Sequence, residues 1–184
     1  MSWKQLKKEY VIKNKWISVR KDHVRLPSGT EIEDFYVIER PEIVHIIAIT
    51  KEGYFVFEKQ YRYGINKDCL EICAGNVEPG ETPLETAKRE LLEETGYAEG
   101  KWQLLNQIAV DTSNITEISY SFLVTDLVKV SEPKLEKTEE IETVLLTEEE
   151  TLQALKQGDI ISALMAAPLW QYFFLKQQND NKLI

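Results

Sequence analysis

Three glutamates stand close together in the stretch Arg89-Glu90-Leu91-Leu92-Glu93-Glu94. On a helix, Glu90, Glu93 and Glu94 fall at i, i+3 and i+4, with Cβ atoms about 5–6 Å apart on one face. Like charges so placed repel, by about 1 kcal/mol at 4 Å in water and about 4 kcal/mol near a protein surface. A divalent cation turns that repulsion into binding. An all-oxygen donor set with open water positions suits Mg2+, with Mn2+ as a substitute. The plainer alternative is a solvated acidic face, partly compensated by Lys88 and Arg89. The surrounding residues decide between the two.

The helix is signalled at both ends. Thr82-Pro83-Leu84-Glu85 offers an N-cap threonine, a proline at the first helical position and a glutamate where a capping box wants it. Leu84, Ala87, Leu91 and Thr95 recur at helical spacing, and Gly96 is a natural stop. The reading is a helix from Pro83 to Thr95 with its carboxylates in the last two turns.

The residues before it read as strands: Lys15–Arg25, a turn at Pro27-Ser28-Gly29, Glu31–Ile38, the apolar run Ile43–Thr50, and Tyr54–Tyr61. Pro41 interrupts the pattern, so residues 1–40 are expected to form a small antiparallel β segment and residues 41–184 the main domain. Beyond the helix, Trp102–Val110, Ile118–Val130 and Glu142–Leu146 read as strands. Thr147-Glu148-Glu149-Glu150 is a second capping box, opening a helix that stops near Gly158. Asp159 is read as the cap of an apolar helix from Ile160 to about Lys176, bent by Pro168. Strands and helices in this order, without regular alternation, suggest a mixed sheet with helices on both faces.

The chain has 184 residues and a formal net charge of −9. That charge argues against sequence-independent binding to nucleic acid, which needs clustered Lys and Arg. It leaves room for an anionic small molecule once a bound cation reverses the local field. No apolar run is long enough to span a bilayer, and the first residues lack the apolar stretch of a signal peptide, so the expected location is the cytoplasm. Cys69 and Cys73 build no disulfide framework and lack the spacing of a zinc pair. They are expected to be buried small apolar residues, and zinc is not expected.

Gly75, Glu81, Arg89, Glu90, Glu93, Glu94 and Gly96 follow the spacing G-x5-E-x7-R-E-U-x-E-E-x-G-U, with Leu91 and Tyr97 at the two apolar positions. Seven specified residues at roughly 7% usage each would coincide about once in 10⁸ placements. The pattern resembles the signature box of the Nudix hydrolases. The resemblance implies an α/β (α+β) fold, an α/β/α sandwich around a mixed sheet, carrying here an additional N-terminal antiparallel β segment. It also implies metal binding by Glu90, Glu93, Glu94 and the carbonyl of Ala74. Gly75 would permit a sharp strand-to-loop turn, and Glu81 and Arg89 would brace the loop and helix.

Within that family the chain is similar to the ADP-ribose and nucleoside diphosphate sugar pyrophosphatases. The carriers are Glu58-Lys59-Gln60-Tyr61-Arg62, Leu70-Glu71-Ile72-Cys73-Ala74-Gly75, Glu78-Pro79-Gly80-Glu81 and the tail Gly158-Asp159-Ile160-Ile161-Ser162-Ala163-Leu164. By resemblance Arg62 would contact the diphosphate, unless it pairs with Glu71. Trp16 and Phe35 would stack on the base, unless they pack in the core. Arg40 would reach the substrate from the partner of a homodimer whose N-terminal segments cross over. The carboxylate that positions or deprotonates the water would be Glu140 or Glu117, with Glu140 ranked first. One departure is Asp111-Thr112-Ser113-Asn114, where related enzymes carry Ser-Pro-Gly; it favours a broader nucleotide-sugar range than ADP-ribose alone. Other nucleotides, or ligand sensing without catalysis, are the rival readings.

Overall fold

The computed structural model describes residues 2–14 and 17–180. They divide into two compact units, Met1–Glu42 with Ile108–Ile118, and Ile43–Gln107 with Ser119–Ile184.

The first unit is built on a three-stranded antiparallel sheet, β1 (Lys4–Lys13), β2 (Ser18–Arg25) and β3 (Glu31–Glu39), in that order. The β2–β3 turn is closed by Leu26 N donating to Thr30 O at 2.8 Å, with Gly29 at φ +91°. β1 is not among the strands expected from the sequence. It reads Lys-Gln-Leu-Lys-Lys-Glu-Tyr-Val-Ile-Lys and is exposed except at the half-buried Leu6, so no alternation of apolar residues marks it. Cross-strand charge pairing holds it instead: Glu39 accepts from Tyr10 and Lys8 on β1 and from Arg20 on β2. The Tyr10 hydrogen bond, followed by those of Lys8 and Arg20, outweighs desolvation and lowers the Glu39 carboxyl to about 2. The segment near residue 115 joins this sheet where Ile38 N donates to Asn114 O at 2.8 Å and Thr116 N to Ile38 O at 3.1 Å.

The second unit contains β4 (Ile43–Thr50), β5 (Phe55–Arg62), β6 (Lys67–Glu71), β7 (Ala74–Asn76), α1 (Pro83–Thr95), β8 (Tyr97–Ala109), β9 (Ile118–Lys129), β10 (Ile141–Leu146), α2 (Glu148–Gln157) and α3 (Ala163–Asp180). The strand order is β10-β5-β4-β9-β8, with β6 paired to β5 and β7 to β4. β4 and β9 run parallel while the other assigned pairs are antiparallel, so the sheet is mixed. Side-chain alternation along β4 and β5 divides the core. Ile46, Ala48 and Val56 pack with Ala87 and Leu91 of α1, whereas Ile47, Phe55 and Phe57 pack with Leu155 of α2 and Met165 and Leu169 of α3. Helices thus cover both faces, and the fold is the α/β/α sandwich expected.

Helix α1 has the bounds its sequence signals. Thr82 and Glu85 form the reciprocal capping box, and Gly96 takes the left-handed conformation at φ +73°. A Cβ at Gly96 would also overlap the Ser131 carbonyl, so glycine is required there twice over. Helix α3 departs from expectation. Asp159 does not cap it; Gly158 ends α2 at φ +81°, and Asp159 N returns to Ala154 O at 3.0 Å. Ile160 is buried in non-helical chain, and the first helical turn closes on Ser162 O, which accepts from Ala166 N at 2.8 Å. The reason is core packing: Ile160 is buried in one cluster with Ala154 and Leu155 of α2 and Met165 and Leu169 of α3. Among the described residues, no helix is long and apolar enough to cross a membrane.

Candidate active site

The helix phase grades the exposure of the three carboxylates. The Glu93 side chain is 48% exposed and that of Glu90 15%, whereas Glu94 is buried. Arg89 answers two of them. Its Nε and Nη2 clasp Glu81 Oε1 and Oε2 at 2.9 and 3.0 Å, while Nη1 donates to Glu90 Oε1 at 2.9 Å and Glu93 Oε2 at 3.2 Å. Glu81 also accepts from Thr86 Oγ1 at 2.7 Å. The Arg89 and Thr86 hydrogen bonds hold the Glu81 carboxyl down at about 2. The loop carrying Glu81 and the second half of α1 are therefore linked through one guanidinium.

Gly75 sits inside β7 and has no left-handed backbone, so a sharp turn is not what requires it. Its role is space: a Cβ there would overlap the Glu90 carboxyl. Ala74 precedes it on the same strand, opposite His45 of β4. Burial pushes the Glu90 carboxyl up, and Arg89 offsets this only in part. A half-buried, under-compensated carboxylate brought against a strand that has no side chain at that point leaves a cradle of oxygen donors. Glu90, Glu93 and Glu94 carry the oxygen donors a hard divalent cation takes, but among the described residues the trio whose ligand atoms all lie within 4.8 Å of one another is Glu58, Cys73 and Glu94.

Glu94 turns inward. Cys73 Sγ donates to its Oε2 at 3.0 Å, and Glu58 of β5 completes a buried trio. Burial raises Glu94 to about 7, against the pull of the thiol hydrogen bond, and Glu58 is raised well above the usual carboxylate range by burial and then by the charge of Glu94. Sequence reasoning missed this grouping, since Glu58, Cys73 and Glu94 come from three separate elements.

Of the two acidic candidates for the water, Glu140 is exposed and lines a shallow concavity with Lys59, Gln60, Tyr61 and Asp68. Its neighbour Glu139 is half-buried, and its charge acts on both Glu90 and Glu94. Glu139 Oε2 accepts from Glu136 N at 2.8 Å, which fixes the turn carrying it. Glu117, in the other unit, is 2% exposed and meets Arg40 Nε at 3.2 Å. Burial raises its carboxyl, with Arg40 opposing. Arg62 forks onto Glu71, Nε lying 3.0 Å from both carboxylate oxygens and Nη2 donating to Oε2. Phe35 packs edge-on to Trp3 with ring centroids 5.5 Å apart. Trp16 lies outside the described residues. At the departure from Ser-Pro-Gly, Asp111 Oδ1 accepts from Ser113 N at 2.8 Å, so an Asx turn tightens the stretch that proline would stiffen.

These carboxyls set a pH dependence of stability. An acid whose folded pKa is raised binds extra protons in the native state, so stability falls as pH climbs through that pKa. His45, which burial lowers to about 4, acts the other way, but its contribution is complete by its ordinary value of 6.5. Above that, Glu94 and Glu58 dominate. The metal-free protein is expected to lose stability, read as a falling Tm, as pH rises from 6.5 through about 7 and beyond. Saturating Mg2+ should close the gap. Calorimetric scans with chelator and with Mg2+ check both statements.

Residues 39–166 match the NUDIX domain family, and residues 3–38 the nucleoside diphosphate sugar hydrolase N-terminal domain. An ADP-ribose pyrophosphatase of Bacillus subtilis (strain 168) is 31% identical over 175 residues, spanning 95% of this chain and 94% of that protein. A methanol dehydrogenase activator of Bacillus methanolicus is 32% identical over 180 residues, spanning 97% and 96%. The crystal structure of an ADP compounds hydrolase superposes with a TM-score of 0.83 over 97% of this chain and 96% of that one; at 22% identity the likeness is one of fold.

Proposed function

The chain belongs to the Nudix family of hydrolases, and we propose that it cleaves the diphosphate linkage of nucleoside diphosphate sugars such as ADP-ribose, giving a nucleoside monophosphate and a sugar phosphate. The observation that carries this is the joint occurrence of the complete Gly75–Tyr97 motif with an N-terminal segment matching that of nucleoside diphosphate sugar hydrolases. The near full-length likeness to an ADP-ribose pyrophosphatase supports the same substrate class.

Glu90, Glu93 and Glu94, with the carbonyl of Ala74, would hold Mg2+, or Mn2+ in its place. When bound, the metal supplies neutralisation of the diphosphate charge and a more acidic water. The chain's own residues do the positioning. Arg89, locked by Glu81, aims Glu90 and Glu93, and Gly75 leaves the room Glu90 needs. We assign the water-directing carboxylate to Glu139 in preference to Glu140 or Glu117, because it is the loop glutamate whose charge acts on Glu90 and Glu94. Arg62 has Nε and Nη2 engaged by Glu71, which leaves Nη1 to meet a phosphate oxygen. In this reading Phe35 and Trp16 would stack on the base, and Arg40 would reach the substrate from the partner subunit of a dimer. Two buried free thiols agree with a reducing compartment such as the cytoplasm.

Phosphate release after coupling to a phosphatase, measured on ADP-ribose, GDP-mannose and ADP-glucose with Mg2+, is the direct test. Turnover of nucleotide sugars that chelator abolishes is expected. Preferential turnover of nucleoside triphosphates or diadenosine polyphosphates would overturn the substrate class, and ligand binding without turnover of any of them would leave only the sensor.

A homodimer through the N-terminal sheet is part of the proposal. β1 is an edge strand, and Val11 and Ile12 on it and Tyr36 on β3 are exposed. Edge strands with apolar side chains invite pairing with another copy. Light scattering should give twice the 21.4 kDa chain mass, and a monomer at assay concentration would exclude the dimer.

A further inference from the structure

The buried trio beneath the magnesium carboxylates has a chemistry of its own. Glu58 on β5, Cys73 between β6 and β7, and Glu94 on α1 each offer one ligand atom, and these atoms lie within 4.8 Å of one another. All three residues are at least nine-tenths buried, with Glu58 at 4%, Cys73 at 0% and Glu94 at 7% exposure. Glu58 Oε1 is buried and has no hydrogen-bond partner. Among the described residues, no lysine or arginine ion-pairs with Glu58 or Glu94: Arg89 is given to Glu81, Glu90 and Glu93, and Arg62 to Glu71. Two carboxyls and a thiol thus converge in a buried core without a lysine or arginine; Glu58 hydrogen-bonds with Glu94 and Cys73, yet its Oε1 is left without a partner.

We propose that Glu58, Cys73 and Glu94 bind a thiophilic divalent cation of the zinc class, at a site separate from the all-oxygen magnesium site but sharing Glu94 with it. One sulfur and two carboxylate oxygens are a borderline-soft set that suits Zn2+, which takes three protein ligands and a water in tetrahedral geometry. Mg2+, which keeps to oxygen, is not selected by it. On binding, the Cys73 thiol gives its proton to solvent and the sulfur takes the metal. Because Glu94 serves both sites, zinc occupancy withdraws a ligand from magnesium, and Zn2+ acts as an inhibitor that raised Mg2+ relieves. The sequence spacing of Cys69 and Cys73 disfavours zinc only if both cysteines are needed. The fold replaces the second sulfur with two carboxylates.

The test is a titration of the chelator-treated full chain with Co2+, a coloured stand-in for Zn2+. A thiolate-to-cobalt charge-transfer band should grow to one equivalent and be displaced by one equivalent of Zn2+. It should vanish in Cys73→Ser and survive in Cys69→Ser. Glu58→Gln should weaken Co2+ by about tenfold or more, the loss that changes around a metal site produce. No band in the unaltered protein, or a band that persists in Cys73→Ser, overturns the proposal. Should Cys73→Ser not fold, as judged by circular dichroism, Glu58→Gln decides, and unchanged Co2+ affinity there also overturns it. The band reports a metal–sulfur bond and no turnover, so its failure is distinct from failure of the hydrolase reading.

Discussion

Glu94→Gln should lower kcat for nucleotide-sugar hydrolysis by about 10²–10³-fold, the loss seen when one preorganised charge-stabilising group is removed. The substitution keeps volume and shape but removes the anionic oxygen that a divalent ion needs. KM should move much less, because the distal parts of the substrate are bound elsewhere. The fold should survive. Glu94 is buried, and burial raises it to about 7, so a neutral amide relieves a desolvated charge at alkaline pH. A thermal scan near pH 8 without metal should therefore place the variant at or above the unaltered protein. Steady-state kinetics over a Mg2+ series complete the test. Turnover close to normal would remove Glu94 from the metal site and, with it, the assignment of the chemistry to the end of α1.

Glu139→Gln should cost about 10²–10⁴-fold, the range expected for loss of a general base. Glu140→Gln, one residue along, should stay within a few-fold. The pair is informative because the two side chains share a loop, so a general disturbance of that loop would affect both. Glu139 acts on Glu90 and Glu94, whereas Glu140 faces Lys59, Gln60 and Asp68. A Mg2+ series separates loss of the base from loss of metal: in Glu139→Gln turnover should fall while the Mg2+ requirement stays unchanged. The reverse ranking, with Glu140→Gln the damaged variant, would return the role to Glu140.

How much of this was legible in the sequence depended on whether the cause was local. The bounds of α1 follow from Thr82, Pro83, Glu85 and Gly96, each acting within a few residues, and the helix ends where they say. The two-sided core was legible because β4 is apolar at every position but His45 and Thr50, as befits a strand covered on both faces. β1 was not legible: its hold on the sheet comes from Glu39, about thirty residues away, and not from its own pattern. The start of α3 was misread because the Asp159 signal is local, whereas the burial of Ile160 that overrides it is tertiary. The same limit applies in the site. The motif names Glu90, Glu93 and Glu94, but only folding shows that Glu93 is open and Glu94 faces a thiol. Whether Glu139 or Glu140 faces the carboxylates is a question of loop phase, which no spacing rule fixes.

The backbone bonds around Gly96 carry a kinetic implication. Val130 N and Ser131 N both donate to Gly96 O, at 2.9 and 3.2 Å, and Lys134 N donates to Glu93 O at 2.7 Å. The stretch leading to Glu139 is thus pinned to the end of α1, the helix that carries Glu90, Glu93 and Glu94. In the proposed roles, Glu139 and the motif glutamates would be pre-assembled, with little orientational freedom left to freeze at each catalytic cycle. Slow steps in turnover should then lie in substrate entry or product departure. Lengthening the chain between Lys134 and Glu139 with flexible residues should leave melting nearly untouched while slowing the chemical step.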